Sequence, residues 1–254
     1  MSTAQQGPGG LPPEHWVRRW QQMSLSQQDG KPLEQLDIAV VASSWNGPLV
    51  AQTLRRVVGK LLDVEECAWQ LHGPGAIAAR GREHVKNTLP QYLNDQRQRL
   101  QNCCQQLETD PASRPFLESS IGGSFVPPHV DIASLLDHGH SDLLTMTPLR
   151  IRLRLVPGAL ELPWAAQQTL AMMGEDMPRR AVIALGAVIR GETVHFDLVS
   201  QQSCAALSQV ALKTRCPVIN GILTLESESQ APDRIARAAS WADACLDMLI
   251  PQWF

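Results

Sequence analysis

Hydrophobic positions in this chain alternate between dense runs and stripes at helical spacing. Leu36–Ala42 is one dense run, and Ala181–Ile189 is nearly continuous, as a parallel strand buried on both faces requires. Arg150–Val156 and Pro217–Leu223 read as two further strands. Between these runs the spacing turns helical. Leu49, Val50, Leu54, Val57, Val58 and Leu61 predict a helix over Leu49–Leu62. Pro163–Met173, Val194–Lys213 and Asp233–Leu249 read as three more, with Val194, Leu198, Cys204, Leu207 and Val210 as the inward positions of the middle one. Strands alternating with helices imply an α/β fold: a parallel four-stranded sheet between two helical layers.

Two stretches depart from that rhythm. Residues 1–35 form an N-terminal extension. Within it, Pro13–Met23 predicts a short amphipathic helix with Trp16, Val17 and Trp20 on one side, either a local cap or a seal against a neighbour. Residues 65–148 read as an insertion, partly helical, between 36–64 and 149–254. Its Gln-rich segment Val85–Leu107 carries a sparse apolar stripe, Leu89, Leu93, Leu100 and Leu107, which suits a surface helix packed on the core or on a partner subunit.

Composition narrows the class. A chain of 254 residues with 44% hydrophobic content can bury a substantial core. The net charge of −3 makes no electrostatic case for nucleic acid or an anionic membrane. No apolar run approaches the length of a membrane span, and Met1–Gly10 lacks the apolar core of a signal peptide. Six scattered cysteines without a Cys-x-x-Cys pair fit reduced, buried thiols in a cytoplasmic protein. His129, His138 and His140, with Asp131, Asp137 and Asp142, form a loose metal-like group. His138-Gly-His140 lacks one-turn helical spacing, so a solvated loop is the better reading and no metal is expected.

The candidate chemistry lies after the strands, where ligands bind in open α/β sheets. Ser43-Ser-Trp-Asn46, Pro157-Gly-Ala-Leu-Glu-Leu-Pro163, Arg190-Gly-Glu-Thr-Val-His195 and the Asn220-Gly-Ile-Leu-Thr224 segment supply glycine, polar groups or an aromatic at one sheet edge. The third is the most informative. A polar loop that opens a helix presents free N–H groups to an anion, and histidine both gives and takes protons near neutral pH.

Three of these segments resemble signatures of the 6,7-dimethyl-8-ribityllumazine synthase family: Val156–Pro163, Leu185–Asp197 and Pro217–Thr224. Their order and spacing also match, and the first strand with Ser44-Trp-Asn46 resembles the family's opening βα unit. The resemblance covers about 36–64 and 149–249. It implies a flavodoxin-like three-layer αβα sandwich and an enzyme without metal or redox cofactor. That enzyme condenses 5-amino-6-(D-ribitylamino)uracil with 3,4-dihydroxy-2-butanone 4-phosphate, releasing phosphate, in riboflavin biosynthesis. It also implies a homo-oligomer, a pentamer or higher, with sites between subunits.

Carried over residue by residue, the resemblance makes His195 the proton carrier, the alternative being a loop-bonding histidine. Gly191, Glu192 and Thr193 become the phosphate-side loop, with the Glu192 charge pointing away. Trp45 would stack on the pyrimidine ring unless it is a core tryptophan, and Asn46 lies in the same turn, where it could equally be a turn former. Ala159, Leu160 and Glu161 would hold the ribityl chain. Because Glu161 lies between Leu160 and Leu162, burial without a polar partner would be costly, which favours a hydrogen-bonding role over a free surface. Asn220, Ile222 and Arg234 would reach the site from the next subunit, Arg234 binding the phosphate if it is not simply a solvated helix residue.

Departures from the family pattern are also legible. Leu160 and Asn220 stand where many members carry phenylalanine. Two lysines that members often carry after the arginine are absent from Ile235–Asp243. Arg237, three residues after Arg234, could supply that charge or be solvated. The competing reading is an assembly or flavin-like-ligand-binding protein that keeps the fold without turnover.

Overall fold

The computed structural model describes residues 10–25, 35–72, 79–109, 149–174 and 179–250. In chain order the elements are α1 (Pro13–Leu25), β1 (Leu36–Ser43), α2 (Gly47–His72), α3 (Ala79–Glu108), β2 (Leu149–Val156), a 3₁₀ turn (Ala159–Glu161), α4 (Leu162–Met172), β3 (Arg180–Ile189), α5 (His195–Thr214), β4 (Val218–Leu225), a second 3₁₀ turn (Glu228–Gln230), α6 (Ala231–Ala236) and α7 (Ala239–Leu249). The strands form one parallel sheet in the order β2-β1-β3-β4. The expected three-layer α/β architecture is present.

Burial follows strand position. β1 is central and buried along its whole length, whereas β2 is an edge strand and alternates. Its Leu149, Ile151, Leu153 and Leu155 enter the core, and Arg150, Arg152 and Arg154 stay partly exposed on the other face. Asp37 is fully buried on β1. Arg152 forks onto it with hydrogen bonds of 3.0 and 2.8 Å, and Arg150 stands 3.6 Å away. A buried carboxylate needs such partners, since removing them leaves an uncompensated charge. One hydrophobic layer joins the sheet to α1, α2, α3, α6 and α7. The other joins it to α4 and α5.

The N-terminal helix packs on its own domain. Trp16, Val17 and Trp20 are buried as the stripe predicts. Asp243 on α7 accepts hydrogen bonds from the Leu11 N–H at 3.0 Å and the Trp16 indole N–H at 2.8 Å. The Lys60 ammonium on α2 lies 3.8 Å from the same carboxylate and donates to the Leu11 carbonyl. Three elements therefore converge on one buried charge pair.

Several boundaries differ from the sequence reading. α2 continues ten residues beyond Leu62 to His72, because its last turns pack against α3. There Glu65 is buried and accepts a hydrogen bond from the Tyr92 hydroxyl at 3.0 Å. The segment expected as one helix over Asp233–Leu249 is two, α6 and α7, parted at Arg237–Ala238. The inward face of α5 is Phe196, Val199, Ser203, Leu207 and Val210. Val194, Leu198 and Cys204 are exposed instead, a register set by the Phe196 ring docking under the β3 end. All six cysteines are free thiols, five of them buried. Burial pushes the Cys104 thiol up to about 12. The histidines of the loose metal-like group lie outside the described residues. Among the described residues, no helix is long and apolar enough to cross a membrane.

Candidate functional site

A cavity of about 430 Å³ opens at the carboxyl ends of β1, β2 and β3. Its position follows from topology. The chain leaves β1 for β2 on one side and then crosses to β3 on the other, so the loops after β1 and β3 diverge and leave a crevice between them. Trp45, Asn46, Ala159, Leu160, Glu161, Gly191, Thr193 and His195 all line it. Pro157, Gly158, Ala187, Val188, Ile189, Phe196 and Val199 complete the wall.

The turn after β1 is fixed by hydrogen bonds to both neighbouring strands. The Ser44 and Trp45 N–H groups donate to the Val156 and Pro157 carbonyls at 2.7 and 3.0 Å. Asn46 adopts a left-handed backbone, φ 53°, which asparagine tolerates better than most residues. Its side-chain N–H donates to the Ala187 carbonyl on β3 at 2.8 Å, while its own carbonyl accepts from Leu49 in the first turn of α2. Asn46 therefore builds the turn, and its amide donor is already engaged. Trp45, beside it, is 67% exposed at the cavity lip, not a core tryptophan.

Opposite that turn, the loop after β3 leads into α5. The residue before α5, Val194, supplies no side-chain cap, and its carbonyl accepts from the Asp197 and Leu198 N–H groups at 3.1 and 3.2 Å. The Thr193 hydroxyl is 3.4 Å from the His195 N–H. Arg190 pins this loop. Its guanidinium donates to both oxygens of Asp197 at 3.0 and 2.9 Å, reaches Glu226 beyond β4, and stands 4.2 Å over the Phe196 ring. Hydrogen bonding to Arg190 holds the Asp197 carboxyl below its ordinary value. Glu192 is exposed and is not part of the cavity wall.

A second cavity, about 190 Å³, lies along β4. Ile222, Leu223, Thr224, Arg234, Arg237, Ser240 and Trp241 line it. Asn220 is exposed on the same strand, with its side-chain oxygen accepting from the Ile222 N–H at 3.0 Å. Apart from Glu192, the site residues named from the sequence thus fall into two groups. Eight share the large cavity; Ile222 and Arg234 share the small one, with Asn220 beside it.

Residues 131–251 match the family model for 6,7-dimethyl-8-ribityllumazine synthase. The match spans 121 of the 254 residues. Curated synthases of that name give the same result. The one from Azoarcus sp. (strain BH72) is 45% identical over 97 residues, 38% of this chain and 60% of the relative. The one from Laribacter hongkongensis (strain HLHK9) is 48% identical over 93 residues, 37% and 58% of the two. The one from Azorhizobium caulinodans is 54% identical over 80 residues, 31% and 49%. The chain spans about half to three fifths of the length of these relatives. β1 and Trp45 lie outside residues 131–251, yet the structure seats β1 inside the sheet and Trp45 on the cavity wall.

The surroundings of Glu161 differ from the sequence reading, although it lines the cavity. Its place between Leu160 and Leu162 favours a ligand or hydrogen-bonding role over a free surface. Glu161 is exposed, and so is Leu160 at 47%, because the 3₁₀ turn lifts both off the core while Leu162 alone enters it. Glu161 reaches the cavity for another reason: a Cβ at Gly158 would stand 2.9 Å from its carboxylate oxygen, so the glycine leaves room for that carboxylate against the loop. Phe196 and Val199 were missed as wall residues. A correct helical register for α5 would have found them, since they share its inward face.

Proposed function

We propose that this chain is a lumazine synthase. It condenses 5-amino-6-(D-ribitylamino)uracil with 3,4-dihydroxy-2-butanone 4-phosphate and releases phosphate and 6,7-dimethyl-8-ribityllumazine. The observation that carries this reading is the gathering of eight of the site residues, from three separate loops, into one cavity. The exposed Trp45 face offers a flat apolar surface to the pyrimidine. Glu161 and the backbone around Ala159 offer acceptors and donors to the ribityl hydroxyls. His195 carries protons as the amine attacks the ketone, water leaves and the imine forms. Gly191 and Thr193, at the start of α5, bind the phosphate that the imine then expels. Ring closure with loss of a second water completes the product. No metal or redox cofactor takes part.

Asn220, Ile222 and Arg234 serve the same reaction from a neighbouring copy. Their cavity lies on the edge strand β4, away from the first, so a complete site takes two chains, and a ring such as a pentamer supplies every chain with a neighbour. The enzyme works in the cytoplasm on small-molecule substrates. Purified protein mixed with both substrates is expected to show lumazine absorbance rising together with free phosphate. Absence of product from a preparation that still binds the pyrimidine alone would leave a ligand-binding protein instead.

A further inference from the structure

The small cavity holds more charge than one arginine. Arg234 and Arg237 both line it, and neither guanidinium has a hydrogen-bonding or ion-pair partner among the described residues. Exposed arginines without a partner among the described residues also occur elsewhere, at Arg18, Arg56, Arg99 and Arg215, but Arg234 and Arg237 differ in lining one cavity together. Asp233 is the nearest acid in sequence to Arg234, but successive helical residues do not share a face.

The backbone explains why the two arginines coincide. α6 ends at Ala236, and the Arg237 N–H closes back on the Arg234 carbonyl at 3.1 Å. A step of three residues across that closure puts both side chains on one side. The Arg237 carbonyl accepts the Ser240 hydroxyl at 2.8 Å, which ties the turn to the first residues of α7. Behind them Trp241 packs against β4 at Gly221, where a Cβ would meet the indole at 2.9 Å. Trp241 and Thr224 line the cavity with the two arginines. Two unpaired planar forks with a hydroxyl alongside match the several oxygens of a phosphoryl group better than any neutral ligand.

We propose that Arg237 is a second phosphate-binding residue, which grips the phosphoryl group of the four-carbon substrate together with Arg234. This rests on the lumazine synthase reading. Arg237 carries the charge that the family's lysines would bring, from a different backbone position, and the break between α6 and α7 is what aims it.

The test uses the full chain. Binding of inorganic phosphate is measured by calorimetry for the wild type, Arg237→Gln and Arg237→Lys, with assembly checked by sedimentation. Arg237→Gln is expected to weaken phosphate by about 10- to 100-fold, the loss of a charge-assisted contact. Arg237→Lys is expected to recover part of it. In turnover, Arg237→Gln should raise KM for the butanone phosphate and leave KM for the pyrimidine unchanged. Unchanged phosphate affinity in Arg237→Gln overturns the proposal. Equal rises in both KM values with an altered sedimentation profile also overturn it, by showing a structural role. If the wild type makes no lumazine but its phosphate affinity still depends on Arg237, the anion site stands and the enzymatic reading falls.

Discussion

At the scale of single residues, the site divides into groups that act on substrate and groups that hold others in place. In the proposed reaction His195, on the cavity wall, is of the first kind. His195→Ala is expected to lower kcat by about 10²- to 10⁴-fold, the usual contribution of a positioned acid–base group, with assembly intact by sedimentation. Unchanged turnover in the pure variant would remove it from the mechanism. Asn46 belongs to the second kind. It pairs a left-handed backbone with a hydrogen bond to the Ala187 carbonyl. Asn46→Ala loses both and is expected to destabilise the fold by about 1–3 kcal/mol, while Asn46→Gly keeps the backbone and loses less. Thermal unfolding of the two variants checks the order, and equal losses would remove the backbone from the explanation. Trp45, Thr193 and His195 were readable from the sequence because each follows a dense apolar run by a few residues. The role of Asn46 was left open there, since its partner sits 141 positions away.

At the scale of elements, α2 and α3 form a hairpin whose contact surface contains a titrating carboxyl. Burial pushes Glu65 up from its ordinary 4.5 to about 8, against hydrogen bonds from Tyr92 and Trp69. Burial beside Glu65 also raises the Tyr92 hydroxyl. The folded chain thus holds a proton that the unfolded chain releases above pH 4.5. Stability is full below that value, falls as pH rises and levels off above about 8, a total of roughly 4–5 kcal/mol. Glu65→Gln should flatten this dependence. Urea midpoints at about pH 5 and about pH 9 compare the two chains, and parallel slopes would sink the assignment. The same carboxyl explains why the sequence placed the end of α2 too early: Asp63, Glu65 and Glu66 read as a polar boundary when one of them is core. Strands were legible because a dense apolar run needs little context. The register of α5 was not, because Ser203 stands on its buried face, its hydroxyl donating to the Val199 carbonyl. The break after α6 carries no glycine or proline to announce it.

At the scale of the whole molecule, the two cavities make a prediction about copies. If the proposed site is shared between subunits, His195→Ala and Arg234→Ala each spoil a different half of it. Mixed within one ring, they should regain activity, because about a quarter of the interfaces join two native halves under random assembly. A mixture no more active than either variant alone would place both halves in one chain. The architecture also imposes an order on synthesis. β1 is the central strand, yet Leu36 pairs with Leu149, 113 positions further on, and Asp37 with Arg180, later still. At about 5–20 residues per second, a ribosome needs roughly ten seconds to deliver the first of those partners. Through that interval the strand that anchors the sheet has no neighbour on either side. α2 is made in the meantime and packs on β1, with α3 packed in turn on α2, so these helices give the nascent strand shelter as well as delay.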